Sequence, residues 1–262
     1  MIVLLLIVLG LVFGSFVNAF VWRVHEGKDW VRGRSECPHC HHQLAGKDLV
    51  PFFSWLALGG KCRYCHHKIE DSPLVELVTP LLFVISYAFW PEPLHGAGLF
   101  QFVLWLVFLV GFVALAVYDL RWFLLPDKVV YPLIALAAVQ VLGLWLFYNG
   151  RWQDVLGAAA GAAIISGVFY VLFQISKGTW IGGGDVKLGV VLGLLAGGPL
   201  ESLLLLFAAS LTGTVLALPF LVQGKAHRAT PLPFGPLLIF GLVVVRLFGA
   251  DLIDWYTHLL VV

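Results

Sequence analysis

Eight apolar runs, each close to the length of a membrane-spanning helix, dominate this 262-residue chain. About twenty consecutive apolar residues are enough for an α-helix to cross a bilayer. The runs occupy roughly residues 1–22, 74–90, 98–118, 128–148, 155–175, 184–197, 200–222 and 233–249. With 60% hydrophobic and only 12% charged residues, the chain is not an ordinary water-soluble globule. The sequence therefore predicts an all-α polytopic membrane protein with about eight transmembrane helices, of which the sixth is short and glycine-rich.

A polar block of residues 23–72 separates the first two apolar runs. It contains half of the sixteen Lys and Arg residues, namely Arg23, Lys28, Arg32, Arg34, Lys47, Lys61, Arg63 and Lys68. Because cytoplasmic loops are enriched in Lys and Arg, we expect this block on the cytoplasmic side of the membrane and both termini outside. The first run lacks a preceding basic residue and a following cleavage site, so we interpret it as a retained span. A formal net charge of +1 gives no general attraction to nucleic acid.

All four cysteines lie in this polar block, which is called the cysteine block below. They form two C-x-x-C pairs, Cys37 with Cys40 and Cys62 with Cys65, separated by 21 residues. Four thiolates in this pattern are typical of a structural zinc site. Disulfides are the alternative, which a reducing cytoplasm disfavours. A block of about 50 residues has little core of its own, so a bound metal ion would also stabilise it.

Five histidines surround the same two pairs and are a second set of possible ligands. They are His39, His41, His42, His66 and His67. Since four cysteines already complete a tetrahedral shell, we expect the histidines to be solvated or to lie around the ligands.

Two aspartates stand at the ends of apolar runs. Asp185 follows three glycines at the start of the sixth run, in the stretch TWIGGGDVKLG, and Asp119 lies at the end of the third run. Ionisable groups at membrane depth are costly, so each is a candidate functional residue. If neighbouring helices bring the carboxylates together, one is ionised and the other protonated. A water molecule between them could then attack a peptide bond, as in an aspartyl protease.

Simpler interpretations of these residues stay open. Gly182, Gly183 and Gly184 permit irregular backbone and close approach of an extended substrate, or they merely begin a helix that Asp185 caps. Asp119 could be an ordinary charge that marks the end of a span.

Two further charges flank the aspartates. Asp127 follows the proline of an LLPD stretch, and we expect it to begin the fourth span. Lys187 is expected to anchor the sixth span at the membrane interface, although it could instead favour ionisation of Asp185.

Several motifs of the chain resemble those of the bacterial type IV prepilin peptidases, bifunctional leader peptidases and N-methyltransferases of pilus and type II secretion systems. In the family's order they are GSFVNAFVWR, CPHC, CRYC, SPLVELVTP, YDLRWFLLPD, GGGDVKLG and PLPFGPLLIFG. The resemblance covers almost the whole chain. It implies an inner-membrane aspartyl protease of the GxGD type that cleaves prepilins or pseudopilins at the cytoplasmic face. It also implies methylation of the new N-terminal residue by S-adenosylmethionine.

The same resemblance implies roles for individual residues. Asp119 and Asp185 are the implied catalytic pair. Residues that support the motifs or the substrate are Tyr118, Asp127, Gly182, Gly184, Lys187, Pro233, Gly235 and Pro236. The last three belong to PLPFGP, which is similar in position to a substrate-binding loop of presenilin-like proteases. The expected domains are a first helix (1–22), a zinc-binding, methyltransferase-linked block (23–72) and a protease domain (73–262).

Methylation is linked by the resemblance to the flanks of the cysteine block. The residues concerned are Gly14, Asn18, Arg23 and Glu76. Glu76 could orient or deprotonate the new amino terminus of the pilin, or it could only complement the dipole of its own helix. Two departures from the family lie in this region: Asp71 and Ser72 replace an arginine and an aromatic, and Leu49 to Pro51 replaces Asn-Ile-Pro.

A different class of protein remains as an alternative. An ion-coupled transporter with a zinc-stabilised domain would also carry membrane aspartates and glycine-broken helices. Such a transporter should show polar residues at mid-depth that pair across corresponding halves. The main polar side chains in or near the spans, Asn18, Gln140 and Gln174, show no such pairing.

Overall fold

Membrane-length helices account for most of the structure, a computed structural model that describes residues 1–30, 33–69, 72–222 and 233–260. In chain order the helices are α1 (Ile2–His25), α2 (Phe53–Ala57), α3 (Leu74–Ala88), α4 (Gly96–Trp122), α5 (Asp127–Phe147), α6 (Trp152–Ser176), α7 (Gly183–Ala196), α8 (Pro199–Val222) and α9 (Gly235–Leu260). Within the described residues no β-strand forms, and extended pairing is limited to two isolated bridges. The predicted all-α class is therefore confirmed.

The eight predicted spans correspond to eight of these helices. In the described part of the chain, six are long and apolar enough to cross a membrane, namely α1, α4, α5, α6, α8 and α9. The other two, α3 and α7, have 15 and 14 residues. The short sixth span is thus α7, as predicted. Helices α1 and α9 continue beyond the predicted ends at residues 22 and 249, because hydropathy marks the apolar part of a helix rather than its termini.

The chain divides into two compact units. Unit 1 comprises Met1–Ala88 and Leu106–Val117, and unit 2 comprises Phe89–Trp105 and Tyr118–Val262, so that α4 contributes to both. The domain boundaries expected from the sequence, after residues 22 and 72, stay a prediction.

In unit 1, helix α1 packs closely against α3 through two glycines. A Cβ atom at Gly10 would lie 2.6 Å from the backbone nitrogen of Pro80, and one at Gly14 would lie 2.7 Å from the Cα atom of Glu76. Small residues let membrane helices approach backbone to backbone. Gly14, expected from the family to be linked to methylation, therefore has a packing role at the start of α3.

In unit 2, helix α7 is the central element and packs against α5, α6, α8 and α9. Its contact with α6 is again made through glycine. A Cβ atom at Gly189 would lie 3.0 Å from the side chain of Ile165, and one at Gly193 would overlap the backbone of Ala162. This tight contact fixes the position of α7, and with it the first turn that carries Asp185.

Helix α9 is fixed in unit 2 by a polar cluster. Arg246 Nη2 donates to both carboxylate oxygens of Glu92, at 2.8 and 3.0 Å, and to Gln101 Oε1 at 2.9 Å. The guanidinium also lies over the ring of Trp90, 4.5 Å from its centroid. A partly buried arginine needs such partners to offset the loss of hydration. The cluster therefore restrains the helix whose first residue is Gly235.

Candidate active site and metal site

The carboxylate of Asp119 lies in the last turn of α4 and is almost fully buried, with 6% of the residue exposed. The helix ends just beyond it, where Phe123 takes a left-handed conformation with φ 54° and its N–H bonds to the Asp119 carbonyl at 2.8 Å. The side-chain oxygen Oδ2 accepts a hydrogen bond from the backbone N–H of Gly235 at 3.0 Å. The two residues are 116 positions apart, so this bond joins the end of α4 to the start of α9.

Asp185 lies in the first turn of α7 and is half-buried. Gly182 is the residue that precedes this helix, and no side-chain hydrogen bond caps the helix start among the described residues. The Asp185 backbone N–H bonds to the Gly182 carbonyl at 3.1 Å. The three glycines therefore begin a helix, but no side-chain bond from Asp185 caps it in the described structure.

Leu125, in the turn between α4 and α5, packs between the two aspartate-bearing segments. A Cβ atom at Gly184 would lie 2.9 Å from the Leu125 Cβ, and one at Gly235 would lie 3.5 Å from Leu125 Cδ2. The Gly235 Cβ would also come within 2.8 Å of Asp119 Oδ2. Both glycines are thus needed for close approach around the carboxylates. Two carboxylates on neighbouring segments beside such open backbone are the groups that activation of a water molecule requires.

Lys187 is paired with Asp127 rather than with either candidate catalytic aspartate. Its Nζ lies 2.6 Å from Asp127 Oδ1 and 2.9 Å from Oδ2, and 5.2 Å from the ring centroid of Tyr131. Asp127 is the first residue of α5, as the LLPD stretch predicted. The ion pair joins the starts of α5 and α7, which suits a positioning role for both residues.

The remaining support residues lie near this end of unit 2. Tyr118 is buried beside Asp119, with its ring 4.6 Å from that of Trp122. Pro233 and Pro236 flank the segment that holds Gly235, and the ring of Phe234 between them packs edge-on against Phe169. The first two residues of the PLPFGP motif, 231 and 232, lie outside the described residues.

The four cysteines of the block converge on one point. All four are free, and their sulfur atoms lie within 4.8 Å of one another. Tetrahedral zinc with Zn–S bonds of about 2.3 Å requires sulfur atoms roughly 3.8 Å apart. The Sγ atoms of Cys37 and Cys65 are 3.8 Å apart, so the cluster fits a metal ion without rearrangement of this pair.

The two cysteine pairs are copies of one local structure, offset by 25 residues. In the first, the N–H of Cys37 bonds to the His42 carbonyl at 3.0 Å; in the second, the N–H of Cys62 bonds to the His67 carbonyl at 2.8 Å. Each copy also has a histidine with positive φ, at His41 and His66. An antiparallel bridge closes each copy, Glu36 with Gln43 and Lys61 with Lys68.

The histidines of the block stack across the two copies. The rings of His39 and His67 are 3.9 Å apart, and those of Tyr64 and His42 are 3.6 Å apart. Because position 39 corresponds to 64 and position 42 to 67, these contacts are equivalent under an approximate two-fold relation. The cluster that can hold a metal consists of cysteines alone. The histidines therefore lie around the ligands, in line with the expectation from the sequence.

Asp48 supports the second cysteine pair from the short 3₁₀ helix Gly46–Asp48. Its Oδ1 accepts from Arg63 Nε at 2.6 Å, and its Oδ2 accepts from the hydroxyl of Tyr64 at 3.0 Å and from the N–H of Ala45 at 3.2 Å. The hydrogen bond from Arg63 is the main reason why the pKa of Asp48 lies below its ordinary value.

The methylation-linked residues all lie in unit 1, but they make different contacts. Asn18 Nδ2 donates to the Ser72 carbonyl at 3.3 Å, and its Oδ1 is buried without a hydrogen-bond partner among the described residues. Glu76 Oε2 accepts from the backbone N–H of Phe52 at 2.5 Å. Arg23 instead donates to the Trp30 carbonyl and to Ser35 Oγ, each at 3.3 Å. Glu76 and Asn18 thus fix the entry to α3, whereas Arg23 holds the loop after α1.

Two features of these sites were not foreseen from the sequence. Leu125 is one of several apolar residues in its stretch, and only its position before Pro126 singles it out. Phe52 has a positive φ of 59°, which sequence patterns do not predict for an aromatic residue. Pro51, directly before it, is a turn signal that could have pointed there.

Comparison with known protein families gives matches along most of the chain. Residues 8–90 match the bacterial peptidase A24 N-terminal domain, and residues 106–218 match the type IV leader peptidase family. The second match includes both Asp119 and Asp185, whereas Gly235 lies beyond it.

Relatives match over nearly the full length. A prepilin leader peptidase/N-methyltransferase of Stutzerimonas stutzeri is 32% identical, with 97% of this chain and 93% of the relative covered. Proteins of the same name from Bacillus subtilis and Pseudomonas aeruginosa are each 31% identical to this chain. The match to the Bacillus subtilis protein covers 96% of this chain and 96% of the relative. The match to the Pseudomonas aeruginosa protein covers 97% of this chain and 93% of the relative. The chain belongs to the type IV leader peptidase family.

This membership confirms the resemblance seen in the sequence motifs and favours an enzyme over the transporter alternative. No solved structure matches the chain.

Proposed function

We propose that this protein is a prepilin leader peptidase, which cleaves the basic leader from prepilins or pseudopilins with Asp119 and Asp185. The observation that carries this proposal is the packing of Leu125 against both aspartate-bearing segments: it lies beside Gly184, next to Asp185 at the start of α7, and beside Gly235, whose N–H bonds to Asp119 at the end of α4. The names of the full-length relatives supply the substrate class. A family of this kind also implies a multi-pass protein of the bacterial inner membrane.

In the proposed reaction the pair holds one proton and one water molecule. The ionised carboxylate accepts a proton from water as the water oxygen attacks the carbonyl carbon of the scissile bond, and the protonated carboxyl donates to the carbonyl oxygen. Collapse of the tetrahedral intermediate breaks the C–N bond, and the leaving nitrogen takes a proton from the pair. Because interacting carboxylates titrate as a unit, both roles belong to the pair rather than to one residue.

The backbone around the pair suits an extended substrate. Gly235 N–H holds Asp119 in place, and Gly184 leaves space beside Leu125 where a side chain would intrude. A carboxylate held by a backbone donor needs little reorganisation during the reaction.

The cytoplasmic face is the proposed location of this site. Lys and Arg are concentrated in the cysteine block and in the loops that adjoin Asp119 and Asp185, which supports a cytoplasmic position for these loops and an outside position for both termini. The scissile bond of a prepilin, between a basic leader and an apolar segment, would lie at that membrane surface.

Methylation of the new amino terminus is the second proposed activity, and we assign it to unit 1. S-adenosylmethionine, when bound, supplies the methyl group. The Oδ1 atom of Asn18 is buried without a hydrogen-bond partner among the described residues, and it can accept a hydrogen bond from an amino or hydroxyl group of such a ligand. At the adjacent entry to α3, Gly14 packs against the backbone of Glu76, and Asn18 Nδ2 donates to the Ser72 carbonyl. These contacts hold Asn18 beside the start of α3.

Zinc is the proposed metal of the cysteine block, held by Cys37, Cys40, Cys62 and Cys65. Four sulfur ligands leave no open coordination position, so the metal would stabilise the fold of the block and would not take part in either reaction.

A single assay tests both activities. Purified full-length protein in detergent is incubated with a prepilin, with and without S-adenosylmethionine, and the product is weighed by mass spectrometry. We expect loss of the leader in both samples and one added methyl group only when the cofactor is present. An intact prepilin in both samples would contradict the peptidase proposal, and a shortened but unmethylated product would contradict the methyltransferase proposal.

A further inference from the structure

The backbone at Phe52 forms a γ-turn of the rare, positive-φ kind. Phe52 has φ 59° and ψ −49°, and the N–H of Phe53 bonds to the carbonyl of Pro51 at 2.6 Å. This conformation is strained for any residue with a side chain, and it persists only where the surroundings enforce it. Something outside the turn must therefore hold it.

The carboxylate of Glu76 is that restraint. In a γ-turn the N–H of the central residue takes no part in the turn's own hydrogen bond, so it needs a partner elsewhere. The N–H of Phe52 donates to Glu76 Oε2 at 2.5 Å, across 24 positions of the chain. A hydrogen bond to an ionised acceptor is about twice as strong as one between neutral groups.

Glu76 itself is held in place by α1. Its backbone lies against Gly14, where a Cβ atom would come within 2.7 Å, and the preceding Ser72 carbonyl accepts from Asn18. The Glu76 side chain thus connects a rigid helix pair to residues 51–57, which contain the turn and α2. The short helix α2 exposes Phe53 by 61% and Leu56 by 60%, so it has little packing of its own to fix it.

We propose that Glu76 is a positioning residue for methyl transfer, in which its carboxylate holds the strained turn at Phe52 and so fixes residues 51–57 against the start of α3. This inference rests on the proposed methyltransferase activity of unit 1. It differs from direct proton transfer by Glu76, because positioning needs only a hydrogen-bond acceptor. An amide oxygen at the same place would largely suffice.

Three variants of the full-length protein separate these roles: Glu76→Ala, Glu76→Gln and, as a control, Glu26→Ala at an exposed acid after α1. Hydrogen–deuterium exchange over residues 50–58 reports on the turn. Label transfer from S-adenosylmethionine to a mature pilin reports on methylation. For Glu76→Ala we expect exchange at Phe52 to become faster by about tenfold or more, because a charged hydrogen bond is lost. Methyl transfer should become slower by about the same factor. Glu76→Gln should stay within about threefold of the unchanged protein in both measurements, as Glu26→Ala should.

Phe52→Gly tests the strain itself. Glycine takes positive φ at little cost, so removal of the Glu76 carboxylate should accelerate exchange less in a Phe52→Gly background than in the original chain. An equal acceleration in both backgrounds would show that Glu76 does not restrain a strained turn.

The other outcomes of the exchange and methylation assays distinguish a positioning role of Glu76 from direct action of its carboxylate on the substrate. Unchanged exchange in Glu76→Ala, or rapid exchange with undiminished methyl transfer, overturns the positioning role. Loss of methyl transfer in Glu76→Gln with protected exchange shows instead that the carboxylate acts on the substrate. If the unchanged protein transfers no label, the proposed methyltransferase activity and the role of Glu76 in it both fail, while exchange still decides whether Glu76 holds the turn.

Discussion

The cysteine block and the aspartate pair hold their functional groups in opposite ways. In the block, each pair of sulfur atoms is positioned by a loop of eight residues that is closed by its own backbone hydrogen bonds and occurs twice. The two carboxylates instead belong to different helices, and their surroundings are completed by Gly235 and Leu125 from two further segments. A local loop keeps its shape when distant packing changes, whereas the aspartate pair depends on every helix around α7. The two regions should therefore respond differently to substitution.

The largest expected effect comes from either aspartate. Asp119→Asn or Asp185→Asn removes one of the two groups that exchange protons with water and substrate, so leader cleavage should fall by at least about a thousandfold. The protein should still accumulate in the membrane, because neither change alters side-chain volume. Cleavage of a prepilin, followed by mass spectrometry, is the measurement.

Asp154→Asn is the matched control, since Asp154 is an exposed first-turn residue of α6 that pairs only locally with Arg151 among the contacts described. It should cleave normally. Near-normal cleavage by either of the other two variants would rule out a two-aspartate mechanism.

Loss of one cysteine pair should have the next largest effect. The unchanged protein should contain about one zinc ion per chain, and the double variant Cys62→Ser, Cys65→Ser should contain almost none, since two ligands do not retain a structural metal. The block should lose its fold, so methyl transfer should fall much more than leader cleavage. Elemental analysis and the two activity assays are the measurements.

The repeat in the block offers an internal comparison for this test. Cys37→Ser with Cys40→Ser removes the equivalent pair and should give the same loss of metal. Metal content that survives either double variant would exclude a four-cysteine site.

A smaller effect is expected when the space beside Asp119 is filled. Gly235→Ala would place a Cβ atom 2.8 Å from Asp119 Oδ2, so the carboxylate or the start of α9 must shift. Misplacement of a catalytic group by a fraction of an ångström should lower the rate of cleavage by roughly 10- to 100-fold. Zinc content should not change.

Gly167→Ala is the control for this prediction, because a Cβ atom there would meet nothing within 4 Å. It adds the same methyl group to a membrane helix of unit 2. Equal rates for the two alanine variants would show that close approach at Gly235 does not matter for catalysis.

The same contrast explains what could be predicted from the sequence. Apolar runs locate the membrane helices because hydropathy is a local property, and the two cysteine loops are visible because their ligands stand three residues apart. The bond between Gly235 and Asp119 spans 116 residues and follows from how α4 and α9 pack, which no local pattern encodes. The turn at Phe52 was also hidden, because its restraint lies 24 residues away on Glu76.

The smallest expected effect concerns Asp48, which supports the cysteine block from outside the ligand set. Asp48→Asn keeps one acceptor oxygen but loses the charge that attracts Arg63, so thermal unfolding should shift by no more than a few degrees. Hydrogen bonding to Arg63 keeps the pKa of Asp48 in the folded protein below its ordinary value. The stabilisation is therefore fully present at any pH above the ordinary pKa, and it is lost as the pH falls through the lower folded-state pKa. The penalty of the substitution should therefore be the same at about pH 6 and pH 8, where the carboxylate is fully ionised in both states. Thermal melts of the two proteins in detergent at both pH values check this. A penalty that shrank between them would mean that Asp48 titrates near neutrality and is not stabilised by Arg63.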